Sequence, residues 1–330
     1  MKKRSIIILV SLVVLVILVL LAILVTLGSK TNNSTPMRLY LTEETTYESL
    51  CDSIDADASF HLFAHTLGID KHLRPGSYLV EPHMGNLALV RKLRNGQQDP
   101  IRLTIGKFRT PQQLNDFLNA KLMHDDFNIP LDSFYIIRPD TYEFYWTVTP
   151  AAFMQRMEKE YHNEELRMKN EEFGCRSSLA QADSSFFILH SSFKDVIILA
   201  SIVEEETNYN PEKPLIASVY LNRLKRGMPL QADPTVKYAV GDFTLRRILN
   251  KHLAVESPFN TYLHTGLPPA PICLPSKSSV EAVLHAPETP YLYFCASDKM
   301  DGTHRFAATL AEHNSNANAF HHALNTRGIR

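Results

Sequence analysis

Three consecutive glutamates, Glu204, Glu205 and Glu206, close the otherwise apolar stretch DVIILASIVEEET at 195–207. On a helical wheel Val196, Leu199, Ala200, Val203 and Thr207 share one face. Glu205 lies opposite that face, and Glu206 stands beside Leu199, Ile202 and Val203. Pro211 follows closely, which places Glu206 near the helix C-terminus. There the helix dipole and the neighbouring carboxylates disfavour ionisation, and partial burial adds to the effect. A glutamic acid that keeps its proton near neutral pH can serve as a general acid. The plain alternative is a solvated helix end with all three carboxylates in water.

The next stretch, LIASVYLNRLKRGMPLQADPTVKYAVG at 215–241, adds polar groups of the right kind. Residues 216–226 read as a helix closed by Gly227. Asp233 reads as the N-cap of a new helix, with Pro234 at its first position. Gln231 falls in the intervening loop, where its amide can face a cleft, whereas Asp233 reads as an organiser of the turn. The Pro/Gly-rich loop FNTYLHTGLPP at 259–269 presents Asn260, Thr261 and Tyr262, groups suited to sugar hydroxyls and N-acetyl groups. The chain has 14 histidines but no HExxH or comparable His/carboxylate signature. His304 and His313 therefore read as structural or cleft-lining, and no metal or other cofactor is expected.

These groups sit in a chain of 330 residues whose charge nearly cancels, 34 Lys+Arg against 35 Asp+Glu. That balance argues against an electrostatically driven nucleic-acid binder. Residues 6–27 are apolar except for Ser11 and Thr26, and Lys2, Lys3 and Arg4 precede them. A helix of that length spans about 33 Å, enough for a bilayer core. The run is long for a signal peptide and lacks a good cleavage site after it. It reads as a retained anchor with residues 1–5 in the cytoplasm and the rest of the chain outside, at a plasma (inner) membrane. No second such run exists, so a polytopic membrane protein is excluded. Cys51, Cys175, Cys273 and Cys295 are widely spaced, and their spacing leaves both disulfides and isolated thiols open.

The organisation read from the pattern is a linker at 28–37, a small α+β unit at 38–106 and a larger α+β domain at 107–330. Strands are expected at 37–41, 77–80 and 101–105. Helices are expected at 45–54, 58–67, 84–94, 110–122 and 151–168. Residues 169–190 read largely as loop.

Five segments occur in an order that carries a resemblance: ASIVEEET (200–207), VYLNRLKRGMPLQADPTVKYAVG (219–241), FNTYLHTGLPPAPI (259–272), TPYLYFCAS (289–297) and HRFAATLAEHN (304–314). Together they resemble the YceG-like (MltG) family of membrane-bound endolytic murein transglycosylases. The apolar N-terminal run fits that family. LRPGSYLVEP…LVRKLRNG (73–96) looks like its LysM-like subdomain, and PDTYEFYW (139–146) like its aromatic segment. The resemblance implies Glu206 as the catalytic residue, at the last position of the E-x-E-T signature. It implies cleavage of the MurNAc–GlcNAc β-1,4 bond without water, giving a 1,6-anhydro end. Gln231, Asn260 and Tyr262 are the expected substrate-binding residues. Expected partners are peptidoglycan glycan strands, the membrane and cell-wall synthases. The chain departs from the family pattern at Glu205, where Lys is common, at Phe259, where Tyr is common, and at Ala270 and Ser276, where Gly is common. The extra carboxylate at 205 is expected to raise the pKa of Glu206 further, and Phe259 to remove one substrate contact. A scaffold that keeps the fold without the activity, and a true hydrolase, are the competing expectations.

Overall fold

The computed structural model describes residues 10–21, 28–175, 192–245 and 247–327. Residues 10–21 form a helix whose apolar side chains are exposed. The rest of the expected 6–27 span lies outside the described residues. Among the described residues no helix is long and apolar enough to cross a membrane.

The chain forms two compact units of mixed helix and strand, an α+β architecture. The smaller comprises Met1–Leu103 with Lys121–Asp125 and Tyr142–Thr149. Its strands β1 (Met37–Leu41) and β2 (Gly76–Val80) pair antiparallel, with Met37 opposite Val80 and Leu41 opposite Gly76. Alternation along β1 buries Leu39 and Leu41 and leaves Tyr40 exposed. Three helices cover the inner face: α1 (Tyr47–Ile54), α2 (Ala58–Leu67) and α3 (Asn86–Asn95). The side chains of Thr46 and Asp57 cap the first two. The third ends at Gly96, whose φ of 63° is the left-handed stop that Asn95-Gly96 signals. Leu50, Phe60, Tyr78, Leu89 and Leu93 fill the core.

β3 (Ile101–Ile105) and β4 (Asp140–Phe144) form a two-stranded ribbon along which the chain leaves and re-enters this unit. The two late segments thus rejoin residues far earlier in sequence. Trp146 lies edge-on to Tyr40 at 5.0 Å, and its carbonyl accepts from the Met123 amide at 3.0 Å. Long-range pairing of this kind leaves no local signature in the sequence.

The larger unit contains α4 (Pro111–Lys121), with proline at its first position, and α5 (Pro150–Cys175). The latter continues past the expected end at 168, and residues 176–191 lie outside the described residues. Next comes α6 (Phe193–Glu206), started by a reciprocal capping box between Ser192 and Asp195. The wheel assigned α6 one apolar face, but every residue from Val196 to Val203 is buried. It is the central helix of the unit, packed against α7 (Lys213–Lys225) and α10 (Lys277–Leu284). A helix apolar all round belongs inside a core. Between these lie α8 (Asp233–Val240) and the single turn α9 (Asn250–Leu253). Strands β5 (Tyr293–Ala296) and β6 (His304–Ala307) form an antiparallel hairpin, and α11 (Leu310–Thr326) packs on it. Cys51, Cys273 and Cys295 are free thiols.

Candidate active site

The C-terminal turn of α6 carries all three glutamates, and the tertiary structure gives each a different environment. Glu204 Oε2 accepts from Lys213 Nζ at 3.0 Å and from the hydroxyls of Ser276 and Ser279, both at 2.5 Å. Burial pushes this carboxyl up, but the two serine hydroxyls and Lys213 outweigh it and hold Glu204 below the usual carboxylate value. Glu205 meets Lys107 at 2.8 Å and both donors of the Arg109 fork, Nε at 3.2 Å and Nη2 at 3.1 Å. Those cations likewise overcome burial and keep it ionised.

Glu206 has no such cation bonded to it among the described residues. Its one hydrogen bond there is from the Tyr220 hydroxyl to Oε1, at 2.5 Å. Burial pushes its carboxyl up from 4.5 to about 7. The negative field of Asp233 and, less strongly, of Glu205 adds to the rise, while Tyr220 and Lys237 oppose it. The solvated helix end is therefore not what the fold builds. The expected effect of the Lys-to-Glu departure is small, because Lys107 and Arg109 neutralise the Glu205 charge.

Glu206 lines two cavities. The smaller, about 270 Å³, is also lined by Tyr220, Arg223, Gln231, Asp233, Tyr262 and His313. Arg223 organises this side. Its Nε donates to the Leu292 carbonyl at 2.7 Å, and Nη1 donates to the Leu230 carbonyl at 2.9 Å and to Gln231 Oε1 at 3.3 Å. Gln231 is exposed and has a left-handed φ of 51°, uncommon for a residue with a Cβ. Its amide donates to the Thr261 carbonyl at 3.1 Å, which helps hold that conformation. The Tyr262 hydroxyl donates to Asp233 Oδ1 at 2.6 Å. The larger cavity, about 890 Å³, runs from Glu206 along Tyr209 and the β5–β6 turn to Phe320 and Leu324.

Gln231 and Tyr262 thus share a cavity with Glu206. Asn260 does not line it. Its side chain is fully buried, its Nδ2 donates to the carbonyls of Leu253 and Val255, both at 2.9 Å, and its Oδ1 accepts from the Tyr262 amide at 3.1 Å. Its role in this structure is to shape the loop that presents Tyr262. Asp233 also differs from its reading as a cap. Ala232 occupies the N-cap position, its amide donating to Thr261 Oγ1 at 3.0 Å and its carbonyl accepting from Thr235 Oγ1 at 2.7 Å. With the turn closed by those threonines, the Asp233 carboxylate faces the cavity. Phe259 packs into the core against Tyr238 at 4.6 Å, so its missing hydroxyl is not lost from either cavity.

Tyr220 and Arg223 escaped sequence reasoning because they look like ordinary residues of an apolar helix. His304 bonds Glu212 through Nδ1 at 2.8 Å, whereas His313 stacks on Tyr293 at 5.4 Å, and burial lowers its pKa. Among the described residues no group of three or more His, Cys, Asp or Glu side chains is placed to hold a metal ion.

Glu206 is thus a partly buried carboxylic acid at the end of a central helix, flanked by two cavities. The chain belongs to the YceG-like family, which matches over residues 41–319. It is similar to the endolytic murein transglycosylase of Bacillus subtilis (strain 168), 49% identical over 123 residues, which is 37% of this chain and 33% of that protein. It is also similar to the endolytic murein transglycosylase of Streptococcus pneumoniae (strain ATCC BAA-255 / R6), 32% identical over 149 residues, 42% of this chain and 27% of that protein. The matches therefore span a third or less of the length of these curated relatives. A crystal structure of a putative yceG-like protein from Listeria monocytogenes aligns with a TM-score of 0.50 at 26% identity, covering 86% of this chain and 99% of that one.

Proposed function

We propose that this protein is an endolytic peptidoglycan transglycosylase in which Glu206 performs both proton transfers. The observation that carries the reading is a glutamic acid raised to about 7 and shared by two cavities, while its two neighbours are neutralised by ion pairs. Protonated Glu206 gives its proton to the glycosidic oxygen as the MurNAc C1–O bond breaks. The resulting carboxylate then takes the proton of the MurNAc C6 hydroxyl, whose oxygen bonds to C1 and closes the 1,6-anhydro ring. Proton and electron pairs balance without water, and no second carboxylate need act as nucleophile or base. Gln231 and Tyr262 orient the sugar directly, and Asn260 acts through the loop that carries Tyr262.

The apolar run at 6–27 is the proposed single-pass anchor, with its N-terminus in the cytoplasm and both units outside. The 38–106 region is the proposed LysM-like subdomain and 107–330 the proposed catalytic domain. The substrate is nascent glycan beside the membrane, where cell-wall synthases release it. The relatives' names support a murein substrate, and the basic residues ahead of the run support the orientation of the anchor.

The test is to incubate the detergent-solubilised chain with peptidoglycan and identify the new ends by mass spectrometry. Anhydro ends are expected. Reducing ends would make the protein a hydrolase, and no products would make it a scaffold. A second result bears on the acid itself. Tyr220→Phe removes a hydrogen bond to the charged form, worth roughly 1.5–3 kcal/mol. The alkaline limb of kcat/KM is therefore expected to move up by about one pH unit or more. An unmoved limb would show that the Tyr220 contact does not govern the acid.

A further inference from the structure

We propose that the larger cavity is a binding site for the peptide stem on the muramyl lactyl group, so that the protein selects peptide-bearing strands over bare glycan. This rests on the reading of Glu206 as the residue that cuts the strand. The two cavities meeting at Glu206 differ in size and in chemistry. The smaller, about 270 Å³, offers an amide, a guanidinium, a carboxylate and hydroxyls, the partners a hexosamine ring needs on every edge. The larger has about 890 Å³, far more than one sugar ring fills.

Away from Glu206 its lining includes a set of apolar side chains that the smaller cavity does not share. Tyr209, Met300, Phe320 and Leu324 line it, and Tyr209 is 49% exposed. Phe320 and Leu324 lie one turn apart on α11, so they form one apolar stripe along the cavity. No residue of α11 is fully buried, so this stripe is not part of a closed core. A pyranose can lay its C–H face on Tyr209, but against Leu324 and Met300 its hydroxyls would lose water without gaining partners. A short peptide beginning with alanine offers methyl groups for the stripe. Its amides suit the polar part of the lining, where Asn208 and Ser297 stand. Glu206 itself lines the cavity, so a stem lying in it hangs from a sugar near the cleavage point.

Binding tests this separately from cleavage. The full-length Glu206→Gln protein is titrated with labelled uncross-linked strands, either intact or stripped of their stems by an amidase. Intact strands are expected to bind about tenfold more tightly. Adding Phe320→Ala and Leu324→Ala should remove that preference and leave the bare-strand Kd within about twofold, which also reports that the variant is folded. Equal Kd values for the two strands overturn the proposal. So does a loss of bare-strand affinity in the double variant with an unchanged melting temperature, because the cavity then holds glycan. Failure of the wild-type protein to cut either strand would overturn the assigned activity, while the binding ratio would still decide the stem site.

Discussion

Glu206→Gln is expected to reduce kcat on peptidoglycan by a factor of roughly 10²–10⁴, the usual contribution of a positioned acid–base group. The amide keeps the shape and can still accept from Tyr220, but it has no proton to give. The same change is expected to leave stability intact or to raise it above neutral pH. The carboxyl is raised from 4.5 to about 7, so the folded protein holds a proton that the unfolded chain has released. Stability from this group is fully present below about pH 4.5 and is lost as pH rises through about 7. Glutamine does not titrate, so the variant's unfolding free energy should fall less over that interval. Denaturant titrations at pH 5 and pH 8 measure the difference. An equal pH dependence in both proteins would show that Glu206 is not a buried acid, and retained activity would remove it from the mechanism.

The neighbouring carboxylate should behave in the opposite way. Glu204→Ala is expected to destabilise the protein by about 3 kcal/mol or more, because it leaves the ammonium of Lys213 without its anion. The Lys213 side chain is only 4% exposed, and its remaining partners are the neutral hydroxyls of Ser276 and Ser278 at 3.4 and 3.2 Å. Here the carboxyl is held below its usual value of 4.5. Its contribution is present above that pH and disappears as pH falls through the lower folded value. Pairing Glu204→Ala with Lys213→Met should restore part of the loss, since no buried ammonium is then left without a counter-charge. A midpoint shift in urea worth less than about 0.5 kcal/mol for the single variant would mean the pair is solvated. The two predictions together separate residues adjacent in sequence: one change removes chemistry and spares the fold, the other does the reverse.

Much of the local structure was legible in the residue pattern. Asn95-Gly96 marked the end of α3, Pro111 the start of α4, and the 195–207 run a helix ending in Glu206. These signals are local, because capping and turn chemistry depend on a few adjacent residues. Other features depend on how segments pack and on the path of the loops. The wheel gives α6 one buried face, yet it is buried on every side from Val196 to Val203, where α7 and α10 pack on it. Asp233 was read as a cap, yet Thr235 and Thr261 close that turn and leave its carboxylate to the cavity. Asn260 is an expected substrate-binding residue, and the structure places its amide on backbone carbonyls of its own loop.

What the sequence by itself determined is the place of Glu206 at the end of an apolar helix, the order of segments that marks the family and the polar loop residues nearby. What only the tertiary structure decided is which of three identical neighbours keeps its proton. Lys213, Lys107 and Arg109 reach Glu204 and Glu205 from separate segments, and among the described residues Tyr220 alone, with a neutral hydroxyl, bonds Glu206. A side chain's affinity for its proton depends on burial and on charges within a few ångströms. Those distances exist only after residues up to 98 positions apart have been brought together by folding, as Lys107 and Glu205 are.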